Sequence, residues 1–134
     1  MILVDTSVLS LAFRRKARTA PEPATVRIFR RLIAENLPVA IPGIVLQEVL
    51  SGVRTAGESR RLQQVLDGFP VVLARKEDHI AAARIANECI EAGVAVSAVD
   101  CLIAAMTVER HARLLTSDLD FVRMAPHCSL QLLD

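Results

Sequence analysis

The sequence predicts an α/β fold: a largely parallel sheet with helices on both faces. Three observations lead to it. Short apolar runs alternate with stretches of helical periodicity along the whole chain. The first run, Ile2-Leu3-Val4, ends directly in Asp5, which places an acid where open α/β sheets keep their ligands. The 134 residues are 52% apolar with a mean hydropathy of +0.38, enough for one core. Residues 1–134 therefore read as a single domain.

Residues 2–5 form the first strand. Thr6 or Ser7 can cap the helix that follows through Val8, Leu9, Ala12 and Phe13. Residues 14–23 are a loop, basic at Arg14, Arg15, Lys16 and Arg18 and punctuated by Pro21 and Pro23. The second helix carries Val26, Phe29, Leu32 and Ile33 on one face, with Arg27, Arg30 and Arg31 on the other. Leu37 to Ile41 is the second strand, ended by Pro42. Val45, Leu46, Val49, Leu50 and Val53 then recur at helical spacing. Gln47, Ser51 and Arg54 mark the polar face of that helix, and Glu48 lies at its edge.

A polar helix covers 57–67, and Pro70 to Leu73 is the third strand. Glu77 to Glu91 is a helix stopped by Gly93. Ser97 starts another, broadly apolar from Cys101 to Met106 and therefore central and buried. Ala112 to Leu115 is the fourth strand, ended by Thr116-Ser117-Asp118. A short helical turn and a fifth strand, Ser129 to Leu133, complete the order. Crossovers between parallel strands should be right-handed.

Sixteen Lys and Arg nearly balance fifteen Asp and Glu, for a net charge of +1. No global field directs such a chain to nucleic acid or to a membrane surface. Any nucleic-acid contact must come from a local basic patch. Cys89, Cys101 and Cys128 are odd in number and lack metal-type spacing, which suits free thiols in a reducing compartment. The start lacks the basic and long apolar regions of a signal peptide, and no apolar run reaches membrane-spanning length. A cytoplasmic location is the expectation.

Four acids stand out by position. Asp5 ends the first strand, and Glu48 lies on the helix after the second. Asp100 is in the first turn of the buried helix, and Asp118 ends the fourth strand. In a parallel sheet all strand ends share one rim, where the following helices begin, so these four carboxylates can converge. Asp120 follows closely as a possible fifth. Each also has a plainer role: Asp5 and Asp118 as helix caps, Glu48 as a solvated residue, and Ser97-x-x-Asp100 as a capping box. Close like charges disfavour one another's ionisation, and a divalent cation relieves the conflict. Oxygen-only ligation without nearby His or Cys suits Mg²⁺ or Mn²⁺ rather than zinc.

At these residues the chain resembles a PIN-domain ribonuclease, and most of all the toxin of VapBC-type toxin–antitoxin pairs. The matching segments are Val4-Asp5-Thr6-Ser7-Val8 and Pro42-Gly43-Ile44-Val45-Leu46-Gln47-Glu48-Val49-Leu50-Ser51-Gly52. Asp100-Cys101-Leu102-Ile103-Ala104-Ala105 and Leu114-Leu115-Thr116-Ser117-Asp118-Leu119-Asp120-Phe121 follow. Their order spans essentially the whole chain; Ser97-Ala98-Val99 departs from the family's usual residues. The resemblance implies a five-stranded parallel sheet and a Mg²⁺- or Mn²⁺-dependent endoribonuclease. It makes Asp5, Glu48, Asp100 and Asp118 the acidic quartet. Thr6 and Thr116 become the small polar residues beside it, and Asp120 an extra acid of variable role. It also implies a homodimer and a cognate antitoxin that blocks the site, with operator DNA reached only through that antitoxin.

On this reading, Asp5, Asp100 and Asp118 would hold a cation, and Glu48 would ligate it or orient the attacking water. Arg14, Arg15, Lys16 and Arg18, or Arg54, Arg60 and Arg61, offer phosphate contacts; a solvated surface explains them equally. Four Phe and neither Trp nor Tyr leave few platforms for base stacking, so RNA shape and backbone should dominate recognition. Phe121 reads as core, and His79, His111 and His127 as structural or exposed. A haloacid-dehalogenase-like phosphatase would need an Asp where Ser7 stands. A receiver-like domain would need a Lys after the late strand, where none follows Leu114–Thr116. A catalytically silent interaction module is the third alternative, disfavoured by the intact acids.

Overall fold

Short apolar segments with no polar alternation suit strands buried on both faces, as parallel strands are. The computed structural model describes residues 1–13 and 21–134. In it, β1 (Ile2–Val4) lies between β2 (Val39–Pro42) and β4 (Arg113–Leu115), and β3 (Val71–Val72) forms the far edge beside β2. All three pairings are parallel. Leu3 faces Ala40 on one side and Leu114 on the other, and Val4 pairs with Leu115. Leu3, Val4, Ile41, Leu114 and Leu115 have no solvent exposure.

Two helices, α1 (Thr6–Phe13) and α2 (Ala24–Ala34), connect β1 to β2. Another two, α3 (Gly43–Leu50) and α4 (Ala56–Leu66), connect β2 to β3. The return to β4 uses α5 (Lys76–Glu91) and α6 (Ala98–Glu109). After β4 come α7 (Leu119–Met124) and a 3-10 turn at Ala125–His127. The chain thus moves outward from β1 to β2 to β3 and then returns to the other side of β1. Right-handed crossovers put α1–α4 on one face and α5–α6 on the other. The reversal makes a switch point between the carboxyl ends of β1 and β4, the place where such sheets bind ligands.

The local signals in the sequence account for these elements. The apolar stripe of α2 buries Val26, Phe29 and Leu32. The expected central helix, α6, buries Cys101, Ile103, Ala104, Ala105, Met106 and Thr107. Gly93 takes a φ of +79° just past α5, a conformation that costs a side-chain-bearing residue. The Val94 N–H then reaches Cys89 O at 2.8 Å and the Gly93 N–H reaches Ile90 O at 3.0 Å. This is the Schellman closure, which satisfies two terminal carbonyls. Phe121 is buried, as expected, and Cys89, Cys101 and Cys128 are buried free thiols. Among the described residues, no helix is long and apolar enough to cross a membrane.

Two expectations are corrected. The fifth strand over Ser129–Leu133 is reduced to a single parallel bridge between Leu114 and Leu132. Ser129 has a φ of +59°, so the chain turns there and only Gln131–Leu133 runs alongside β4. The sheet therefore has four strands, with that bridge in place of a fifth. Of the two caps offered for α1, the one on Thr6 or Ser7 is replaced by the one on Asp5. Asp5, rather than Thr6 or Ser7, receives the Val8 N–H on its carboxylate at 3.4 Å. A single residue, Asp5, separates the strand from the helix, which leaves the hydroxyls inside its first turn.

Candidate active site

Asp5 leaves β1 at the switch point and is only 3% exposed. An acid in that setting needs partners, and the sequence supplies them as hydroxyls. The Ser7 Oγ donates to Asp5 Oδ1 at 2.7 Å. The Thr116 Oγ1 donates to Asp5 Oδ2 at 2.7 Å. Burial raises the Asp5 pKa above the ordinary carboxylate value; the Ser7, Thr116 and Val8 hydrogen bonds pull it back, and the Asp118 charge adds to the rise.

The loop after β4 is tied to the same group. Thr116 Oγ1 accepts the Asp118 N–H at 2.9 Å, and Ser7 Oγ accepts the Ser117 N–H at 2.9 Å. Asp118 in turn caps α7 by accepting the Asp120 N–H at 2.9 Å. From α3, Glu48 reaches the rim and accepts the Thr6 hydroxyl at 2.7 Å. Asp100 enters from the first turn of α6, whose start is fixed by Ser97 Oγ accepting the Asp100 N–H at 3.1 Å. The capping roles of Asp5, Ser97 and Asp118 and their place at the rim are thus compatible: each cap fixes an acid.

The tightest cluster differs from the expected quartet. Carboxylate oxygens of Asp100, Asp118 and Asp120 lie within 4.8 Å of one another. Asp120 also pairs with Arg123 at 2.7 Å. Burial is the largest cause that pushes the Asp100 pKa up to about 6; Ser97 opposes it, and the charges of Asp118, Asp120 and Glu48 add to it. Glu48 is therefore close enough to be felt electrostatically. A divalent cation fits this donor set. It is all oxygen, and its members repel one another when ionised.

The remaining sequence candidates are less informative. Arg54 is exposed, in the turn after α3, and Arg60 and Arg61 are exposed on α4. Arg14, Arg15, Lys16 and Arg18 lie outside the described residues. Ser7 and Ser117 were not expected in the site. The available signal was the Asp-x-Ser spacing at a helix start, because a first-turn hydroxyl leans back toward the cap.

Comparison with known proteins matches the PIN domain to residues 2–126. The chain belongs to the PIN domain family. Among curated relatives, the PIN domain resembles Ribonuclease VapC11 of Mycobacterium tuberculosis, with 32% identity over 133 residues. That match covers 98% of this chain and 96% of the relative. The fold is shared with FitAcB from Neisseria gonorrhoeae at a TM-score of 0.78, with 21% identity over 100% of this chain and 97% of that one. It is also shared with VapBC2 from Rickettsia felis, bound to a DNA fragment from their promoter. There the TM-score is 0.77, with 20% identity over the full length of both chains.

Proposed function

We propose that this PIN domain is a divalent-cation-dependent endoribonuclease and the toxin of a toxin–antitoxin pair. One observation carries the reading: Asp100, Asp118 and Asp120 converge beside the hydroxyl-tethered Asp5 at the switch point of a PIN sheet. The relative named as a ribonuclease supports the activity. The fold shared with VapBC2 supports a cognate antitoxin as partner, with operator DNA reached only through it. The reading takes residues 1–134 as one cytoplasmic domain that works as a homodimer on RNA.

Asp5, Glu48, Asp100 and Asp118 would hold Mg²⁺, with Mn²⁺ as a substitute. When bound, the cation supplies Lewis-acid activation of water and offsets phosphate charge. The protein's own groups do the rest. Asp5 is held at a fixed angle by Ser7 and Thr116. Glu48, steadied by Thr6, would ligate the cation or orient the attacking water. Asp120 is shared between the cluster and Arg123, so it adjusts the local charge. Arg54, with Arg14, Arg15 and Lys16, would contact RNA phosphates.

The test is incubation of the purified chain with RNA in Mg²⁺ or EDTA, with a phosphomonoester assayed in parallel. Endonucleolytic cutting that EDTA stops is the expected result. Asp5→Asn should lower it by at least a hundredfold while far-ultraviolet circular dichroism stays unchanged. Undiminished cutting by Asp5→Asn would overturn the assignment, and turnover of the phosphomonoester alone would favour a phosphatase.

A further inference from the structure

Ser7 stands in the first turn of α1, half-buried, and its hydroxyl is committed on both sides. It donates its single proton to Asp5 Oδ1 at 2.7 Å. One of its lone pairs accepts the Ser117 N–H at 2.9 Å. Its Oγ is also 3.5 Å from Thr116 Oγ1. The two partner segments are 110 residues apart in sequence. Ser7 therefore joins the β1–α1 junction directly to the loop that delivers Asp118.

Thr116 makes the second half of the same tie. It donates to Asp5 Oδ2 and accepts the Asp118 N–H. The carboxylate of Asp5 is thus bonded through each of its oxygens to a hydroxyl, and each hydroxyl holds one backbone amide of the loop. Thr116 holds Asp118 itself; Ser7 holds the residue before it. With both bonds in place, the Asp5 carboxylate cannot rotate and the 117–118 backbone cannot slide. Loss of the Ser7 bond would leave Asp5 with the Thr116 bond and the longer Val8 N–H contact at 3.4 Å, and would leave the loop tied to Asp5 through Thr116 alone.

We infer that Ser7 is a positioning residue that sets the spacing of Asp5 and Asp118, and through it the affinity of the site for a divalent cation. The inference rests on the proposed cation site and places no substrate contact on Ser7. Groups that orient a metal ligand typically contribute about 10–100-fold to metal affinity. The Ser117 amide is near solvent, so water can replace Ser7 there and the fold should tolerate the loss.

The experiment measures Mn²⁺ binding to the full chain by electron paramagnetic resonance, without RNA, alongside the melting temperature. Ser7→Ala should weaken Mn²⁺ binding by about tenfold with a near-normal melting temperature. Ser7→Thr, which keeps the hydroxyl, should restore most of the affinity. Ser7→Cys keeps the volume but donates weakly, and it should behave like Ala; it decides the matter if Ser7→Ala does not fold. Unchanged Mn²⁺ affinity in a folded Ser7→Ala or Ser7→Cys variant overturns the inference, whatever happens to the melting temperature. A wild-type chain that binds no Mn²⁺ overturns it together with the cation site. A wild-type chain whose Mn²⁺ affinity depends on Ser7 but which cuts no RNA sinks the nuclease reading and leaves the inference standing.

Discussion

Asp100 sits half-buried, and that burial first, with the charges of Asp118, Asp120 and Glu48 after it, raises its pKa to about 6. The unfolded chain returns it to about 3.8. The native state therefore holds this proton more tightly than the unfolded state does. The metal-free protein should lose stability as pH rises from 3.8 through about 6, and the full cost is in place at neutral pH. Asp100→Asn removes the charge. It should stabilise the metal-free protein at pH 7 by about 1–2 kcal/mol, a figure discounted for partial exposure, with no gain at pH 3.5. Chemical denaturation of both proteins at the two pH values checks it; an equal effect at each would exclude the electrostatic cause. At this scale Asp5 and Asp118 were legible because each follows a strand, and Asp100 because it opens a helix; Glu48 lies near the end of α3 and stood out only through the order of elements. The hydroxyls that hold them were only half legible. Thr6 and Thr116 came through resemblance, whereas the tie from Ser7 to Ser117 is a contact between distant segments that no local pattern encodes.

The helices followed from periodicity, because one apolar stripe against one core is a local property. The last strand did not, because five apolar-rich residues cannot report that a turn at Ser129 leaves them one bridge to β4. The ends of α5 show the same division. Gly93 was legible as its stop, whereas Asp78 was not legible as its anchor. Asp78 has no exposure, and Arg110 grips it at 3.0 and 2.9 Å from the end of α6. Asp78 also accepts the Arg75 N–H at 2.8 Å, the reach-back half of a capping box. Arg110 further donates to Leu73 O at 3.2 Å and Met106 O at 2.9 Å, so one guanidinium joins β3's exit, α5 and α6. These hydrogen bonds and the Arg110 charge outweigh burial and hold the Asp78 pKa at about 2. That contribution is complete above pH 3.8 and disappears as pH falls toward 2. Arg110→Ala strands a buried carboxylate and should cost about 3 kcal/mol at pH 7. The loss should shrink in acid, and urea titrations at pH 7 and pH 3 would show it; a pH-independent loss would mean that packing, not charge, holds α5 to α6.

The order of the strands, β3-β2-β1-β4, decides what the acids can do as a set. It brings the start of the chain and its last third side by side, and it makes the gap between β1 and β4 the place where charge accumulates. Convergence could be anticipated from the alternation of elements alone. The membership of the tightest cluster could not, because Asp120 enters through one turn of α7 while Asp5 turns both oxygens to hydroxyls. Glu48 belongs to α3, Asp100 to α6 and Asp118 to the end of β4, so a cation held among them would join segments from opposite faces of the sheet. Unfolding any of these segments would release it. The cation should accordingly stabilise the whole domain as a unit rather than one loop. At a free Mn²⁺ concentration a hundredfold above its dissociation constant, single-site linkage gives about 2.7 kcal/mol. For a domain of this size that corresponds to a melting-temperature rise of roughly 8–10 °C. Scanning calorimetry at fixed ionic strength should show one transition moving upward with Mn²⁺ and back with EDTA. Asp118→Asn should flatten the response, since it removes a proposed ligand and one charge of the cluster. A transition that splits, with only its minor part sensitive to Mn²⁺, would mean that the cation orders the rim locally and that the sheet is indifferent to it.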